Sequence, residues 1–173
     1  MNETKIAWGA KVSPLFKMKV LEICAALGIN PDYLMAVMAF ESGRTFSPRV
    51  LNKAGSGAVG LIQFMPDTAH ALGTSTEELS RMSAEDQLDY VHKYLKYSKG
   101  RIKSLSDMYM AILLPSKIGK EENAIVFDSK DPKHPKQYLQ NKGLDVDKDG
   151  VITKAEATSL VRGMLIEGLK YSA

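Results

Sequence analysis

A single carboxylate, Glu41, stands on an otherwise apolar helix face, and that placement restricts what can be built around it. Asn30-Pro31-Asp32 opens the helix: Asn is a favoured N-cap, Pro fits the first helical position, and Asp complements the positive end of the dipole. Leu34, Val37, Met38 and Glu41 then recur at i, i+3, i+4 and i+7, which is one face. Ser42-Gly43 ends the helix and leaves Glu41 in its last turn, where the dipole disfavours a negative charge. Desolvating an ionised carboxylate is costly, so an unpaired buried one raises its pKa instead. A carboxylic acid still protonated near neutral pH is what general-acid cleavage of an ether-like bond requires. The other reading of this face is that Glu41 swings out to solvent or caps a backbone amide.

The stretch Gly55-Ser56-Gly57-Ala58-Val59-Gly60 runs straight into Leu61-Ile62-Gln63-Phe64-Met65-Pro66. Its glycines permit close backbone approach and positive φ. Gln63 and Met65, two residues apart on a strand-like face, suit the wall of a groove for a polar polymer. Taken alone, the glycine cluster is equally a surface turn.

Taken together, the residues resemble a family. Phe40-Glu41-Ser42-Gly43, then Phe46-Ser47-Pro48, then Gly57 through Ala69 are similar to the soluble lytic transglycosylase (SLT, goose-lysozyme-like) family, with compact phage-encoded members as the nearest kind. The resemblance covers roughly residues 30 to 114 and implies a lysozyme-like helical domain with a substrate groove. It implies that Glu41 is the sole catalytic acid/base. Gln63 and Met65 are carried over as groove residues, and Ser42 as the residue supporting the acid at the helix end beside the substrate. The family's late Ala-Tyr-Asn-Ala-Gly run has its nearest counterpart in Met108-Tyr109-Met110-Ala111. That keeps Tyr109 for the groove and loses the asparagine and glycine; Tyr109 is otherwise a core aromatic. Asn52 is the nearest counterpart of a polar loop residue found in some relatives.

What the resemblance implies chemically is cleavage of the β-1,4 bond between N-acetylmuramic acid and N-acetylglucosamine in the glycan strands of peptidoglycan. Glu41 would protonate the bridging oxygen, and its anion would then activate the sugar's own 6-hydroxyl, giving a 1,6-anhydro product. A hydrolytic glycosidase normally adds a second carboxylate, about 5–5.5 Å away for retention or roughly 6.5–9.5 Å for inversion. Asp67, Glu85, Asp86 and Asp89 follow outside the core of the motif, so hydrolysis using one of them with Thr68 stays open. A hydrolytic muramidase and a non-catalytic wall-binding virion protein are the competing readings.

Asp145 to Glu156 carries a second chemistry. Asp145, Asp147 and Asp149 alternate, Gly150 follows, then Val151, Thr153 and Glu156. That order matches the EF-hand loop: three hard oxygens, the glycine at the sharp turn, a backbone carbonyl, a further oxygen, and a bidentate glutamate. Ile152 is expected to point inward. Ala157, Leu160, Val161, Met164, Leu165 and Leu169 continue as an amphipathic helix. A structural Ca2+ held by Asp145, Asp147, Asp149, Val151, Thr153 and Glu156 is expected, stapling that helix to the catalytic body. The bland reading is an acidic, disordered turn.

The remaining features bound these readings. The chain has 173 residues, 45% of them hydrophobic, a formal charge of +3 and a pI of about 8.8; this suits a folded protein with an anionic cell-wall partner and is too weakly basic to argue for nucleic acid. Gly55–Gly60 has no following Lys-Ser/Thr, so it is not a phosphate loop. Cys24 is alone in an apolar helical stretch, and His70, His92 and His134 share no ligand spacing with it, which leaves no disulfide and little room for zinc. No apolar run reaches membrane-spanning length, and Met1-Asn2-Glu3-Thr4-Lys5 has no signal-peptide pattern. Those absences favour a phage-encoded lysin, made in the host cytoplasm and acting on the periplasmic wall or carried on the virion, with a monomer expected.

Further helices are expected over Pro14–Leu27, Asp67–Leu72, Ser83–Tyr97 and Leu105–Leu114. Residues 119–135 read as a polar connection with a short strand at Ile125–Phe127. The expected organisation is therefore mainly α: residues 1–118 as the lysozyme-like catalytic domain, and 119–173 as a connecting loop plus the EF-hand-like unit packed on it.

Overall fold

The computed structural model describes residues 3–173; Met1 and Asn2, part of the stretch read above for a signal peptide, lie outside the described residues. In chain order the elements are α1 (Pro14–Leu27), α2 (Pro31–Glu41), α3 (Pro66–Ala71), α4 (Thr76–Arg81), α5 (Ala84–Leu95), α6 (Leu105–Leu113), β1 (Ile125–Asp128), α7 (Pro135–Gln140), β2 (Val151–Thr153) and α8 (Lys154–Leu169). The architecture is mainly helical. Helices α4 and α7 have no counterpart in the sequence reading, and α5 stops at Leu95, continuing only as a 3-10 turn to Ser98.

The helix starts follow their caps. Ser13, Asn30, Ser75, Ser83, Ser104 and Thr153 each accept a hydrogen bond from a first-turn amide, satisfying donors that the helix itself leaves free. Helix α1 ends at Gly28, whose φ of 70° and amide bond to the Cys24 carbonyl turn the chain toward α2.

Helix α2 is the centre of the molecule. Every residue from Leu34 to Ala39 is buried, not only the face that carries Glu41. An all-round apolar helix of this kind has neighbours on every side. Helices α1, α6 and α8 supply them. Cys24 is buried and unpaired, behaving as a small hydrophobe.

Strand β2 and helix α8 belong to the same apolar core, since Ile152 of β2 and Ala157 and Val161 of α8 are continuous with the side chains of α1 and α2. Helix α8 is also laced to the N-terminal segment. The Trp8 amide donates to the Gly168 carbonyl at 2.9 Å, the Ile6 amide to the Ala173 carbonyl at 3.0 Å, and the Trp8 indole Nε1 to the Met164 carbonyl at 2.9 Å. A Cβ on Gly168 would lie 2.2 Å from that indole nitrogen, so this crossing requires a glycine. Trp8 in turn stacks on Tyr171, with ring centroids 5.6 Å apart.

The strand expected at Ile125–Phe127 forms and extends to Asp128. It pairs antiparallel with β2, the exit of the acidic loop, with Ile125 opposite Thr153 and Asp128 opposite Val151. Among the described residues no helix is long and apolar enough to cross a membrane.

Candidate active site

Glu41 ends α2 at the rim of the core. Burial pushes its carboxyl up to about 7, and burial is the whole cause. Among the described residues no hydrogen bond and no neighbouring charge adds to that shift. A carboxyl so placed is part protonated at neutral pH.

Tyr109, on α6, lies beside this acid. Its ring meets Phe40 edge-on, with centroids 5.7 Å apart and planes at 88°. Burial raises its phenol first, and the charge of Glu41 raises it further. The structure therefore joins the acid and the tyrosine from opposite ends of the matched motif, through the packing of α6 on α2.

Ser42 is not poised to touch a substrate. Its side chain is buried; the hydroxyl donates to the Met38 carbonyl at 2.6 Å and accepts from the Phe46 amide at 2.9 Å. It fixes the exit of the chain from α2, and so acts on the acid from behind.

The glycine-rich stretch folds back as a turn, not as a strand-like face. Val59 and Phe64 exchange both backbone hydrogen bonds, at 3.0 and 2.9 Å, and Gln63 takes a left-handed φ of 58° between them. The Gln63 Nε2 donates to the carbonyls of Val50 and Gly60, each at 3.0 Å. Both its donors are thus spent on the turn, and only its carbonyl oxygen is left for a ligand. Met65, 46% exposed, lies at the end of this turn. Gln63 and Met65 line a small cleft with Thr68, Tyr94 and Ile112. Asn52 does not join them: its Oδ1 accepts from the Ala54 amide at 2.8 Å, holding an exposed bend of its own loop.

Of the other acids near the motif, two are engaged elsewhere and two face solvent. Glu85 accepts from the Ser13 hydroxyl at 2.6 Å, which holds its carboxyl below the usual range, and Asp89 pairs with Lys19 at 2.9 Å. Asp67 and Asp86 are exposed in first turns of their helices.

A model of the transglycosylase SLT domain matches residues 20–113. The chain belongs to this family. The matched SLT segment runs from α1 through α6 and contains Glu41, Gln63, Met65 and Tyr109. SLT domains are lytic transglycosylases acting on peptidoglycan. No curated protein matches the chain.

Outside the SLT match lies the acidic loop. Asp145, Asp147, Asp149 and Glu156 bring carboxylate oxygens within 4.8 Å of one another. Gly150, with a φ of 85°, turns the loop and donates its amide to Asp145 Oδ2 at 3.0 Å. The Tyr138 hydroxyl donates to the same oxygen, holding the Asp145 carboxyl low while its own phenol is pushed up to about 12. Among the described residues Asp145 Oδ1 is buried without a hydrogen-bond partner. Val151 and Thr153 lie in β2. Thr153 Oγ1 accepts from the Glu156 amide, and Glu156 Oε1 accepts from the Thr153 amide, each at 3.2 Å, a capping box that starts α8. Ile152 is fully buried, as its position in the loop predicts.

Three residues of this architecture escaped the sequence reading. Gln87 and Tyr94 lie on the inner side of α5; Tyr94 donates from its hydroxyl to the Ala111 carbonyl at 2.6 Å and so ties the cleft wall to α6. Their spacing from Val91, at i−4 and i+3, was the signal available. Lys154 is 1% exposed and pairs with Asp107 at 2.6 Å. Nothing in the local pattern of either residue marks that long-range pair.

Proposed function

We propose that the protein is a peptidoglycan lytic transglycosylase in which Glu41 cleaves the β-1,4 linkage of the glycan strand alone. The observation that carries this is the state of Glu41: a carboxyl raised to about 7 by burial with no second charge behind the shift. A partner carboxylate at glycosidase distance, roughly 5–9.5 Å, would add its own electrostatic push. In the proposed cycle Glu41 first donates its proton to the bridging oxygen, and the leaving sugar departs with that proton. The resulting carboxylate then takes the proton of the 6-hydroxyl as that oxygen bonds to the anomeric carbon. Tyr109 lies close enough to feel the charge of the acid, and the Gln63 side-chain carbonyl and Met65 side chain, which line a cleft of their own with Thr68, Tyr94 and Ile112, are the groups this reading assigns to the glycan strand. By its resemblance to compact phage-encoded members, the reading extends to a phage lysin acting on the periplasmic wall or carried on a virion.

Mass spectrometry of muropeptides released from purified walls tests this directly. The expected products end in 1,6-anhydro-N-acetylmuramic acid. Products with a free reducing end would mean a hydrolytic muramidase, and no release at all would mean a wall-binding scaffold.

The same reading gives the acidic loop a structural Ca2+. The donors are all hard oxygens, and a buried carboxylate oxygen without a partner suits a cation better than an apolar site. Asp145, Asp147, Asp149 and Glu156 would supply carboxylates, with Val151 and Thr153 completing the set; the ion would neutralise acids that otherwise repel where α8 joins the body. Calcium at a hundred times its Kd is expected to stabilise the fold by about 2.7 kcal/mol, a rise in Tm of several degrees that EDTA reverses. Asp145→Ala should abolish the calcium-dependent part of that rise, read by calorimetry in the absence of substrate.

A further inference from the structure

One fully buried side chain bears on the cleft-bordering turn without lining the cleft itself. Gln87, in α5, is fully buried, and both its donors and its acceptor oxygen are engaged. Its Oε1 accepts from the Leu61 amide at 2.8 Å, while its Nε2 donates to the carbonyls of Pro48 at 3.0 Å and Leu79 at 2.9 Å. Three separate pieces of backbone converge on this one planar group. Pro48 belongs to the segment leaving Glu41, Leu61 to the turn that carries Gln63, and Leu79 to α4.

The turn has made room for it. A Cβ on Gly60 would sit 2.3 Å from the Gln87 Oε1, so glycine at this position, with its φ of 86°, lets the backbone close onto the amide. The contacts around it reinforce one another. The Gly60 amide donates to Val50 at 2.8 Å, and Gln63 bonds to the carbonyls of Val50 and Gly60. Two glutamine side chains thus stitch the segment after the acid to the turn bordering the cleft.

We propose that Gln87 is a positioning residue for the reaction, holding the Gln63–Met65 rim at its working distance from Glu41. This rests on the proposed role of Glu41. One acceptor and two donors are needed in one plane, which explains a glutamine where a leucine would satisfy packing alone. Glutamate would keep the acceptor and lose the donors. Methionine would keep the volume and lose both functions.

The test compares wild type, Gln87→Met and Gln87→Glu on soluble glycan strands well below each protein's Tm, so that every sample is folded. A misplaced rim acts on the transition state, since small displacements of groups that orient the substrate cost about 100-fold in rate. Gln87→Met is expected to lose at least about 30-fold in kcat with KM within threefold, and Gln87→Glu to fall between it and wild type. A purely structural glutamine would lower Tm and leave kcat of the folded enzyme unchanged, and that result overturns the proposal. Native-state hydrogen exchange on the unmodified protein is the second measurement, needed if the variants do not fold. The Leu61 amide should exchange only through global opening; exchange at the rate of the exposed Gly55 region would equally overturn it. Wild-type protein that releases no muropeptides would instead refute the role of Glu41, while the Leu61 exchange still decides whether Gln87 holds the turn.

Discussion

Glu41→Gln is expected to abolish wall lysis, with a loss of at least about a thousandfold in muropeptide release, while circular dichroism stays unchanged. General acid–base catalysis alone contributes about 100- to 10,000-fold, and in the proposed cycle one group serves both half-reactions, so no second residue would soften the loss. Glutamine keeps the shape and offers no proton of useful acidity. The pH dependence carries the sign of the burial. Donation requires the protonated carboxyl, so the acid step should be fully available below about pH 6 and fall as pH rises through the raised value of about 7. The fold follows the same proton. Glu41 moves from an ordinary 4.5 to about 7, so the native state prefers its neutral form; that stabilisation is fully present below the unfolded value and is lost as pH climbs through about 7. Glu41→Gln should therefore be more stable than wild type at pH 8, by on the order of 2 kcal/mol, and no more stable at pH 4. Urea unfolding at the two pH values measures this. Equal stability at both would place the carboxyl in open water and remove the basis for its acidity.

Local chemistry made much of this legible beforehand. Asn30-Pro31 and Ser83 start helices where their side-chain hydrogen bonds dictate, because an N-cap is read from a few adjacent residues. Helices α4 and α7 were not legible: each is a single short piece whose inward anchor is one residue, Leu79 or Tyr138, and one apolar residue has no period. Within the site the resemblance pointed to the segments, and the structure adds what their side chains bond to. Ser42 and Asn52 spend their side chains on nearby backbone, a choice made by loop geometry rather than by residue type. Gln87 was hidden for a related reason. A mid-helix glutamine reads as a solvated surface residue until the Gly60–Leu61 turn is known to close over it.

Lys154→Met should be the most destabilising single change outside the site, costing about 3–5 kcal/mol at pH 7, since breaking a buried ion pair strands the remaining charge. Lys154 and Asp107 are almost completely buried, and the lysine also donates to the Lys120 carbonyl at 2.8 Å. Burial by itself would raise the Asp107 carboxyl; the Lys154 ammonium and the amides of Gly119 and Lys103 outweigh it and hold the group below its ordinary 3.8. Its contribution to stability is therefore present above that value and lost as pH falls through the depressed one. Without the lysine the sign reverses, because the orphaned carboxyl is then governed chiefly by burial. Lys154→Met should thus be hurt most at neutral pH and least near pH 3, where the stranded acid takes up a proton. Asp107→Asn combined with Lys154→Met should recover part of the loss, since the double variant buries no charge. Chemical unfolding of the single and double variants at the two pH values checks each step. The consequence extends to the acid: Asp107 and Tyr109 share α6 and Lys154 opens α8, so this pair ties together two of the three helices that pack on α2, the helix that carries Glu41. If the proposed Ca2+ occupies the loop beside Lys154 it would tighten the same joint, and Lys154→Met should then shrink any calcium-dependent rise in Tm even though it removes no expected ligand.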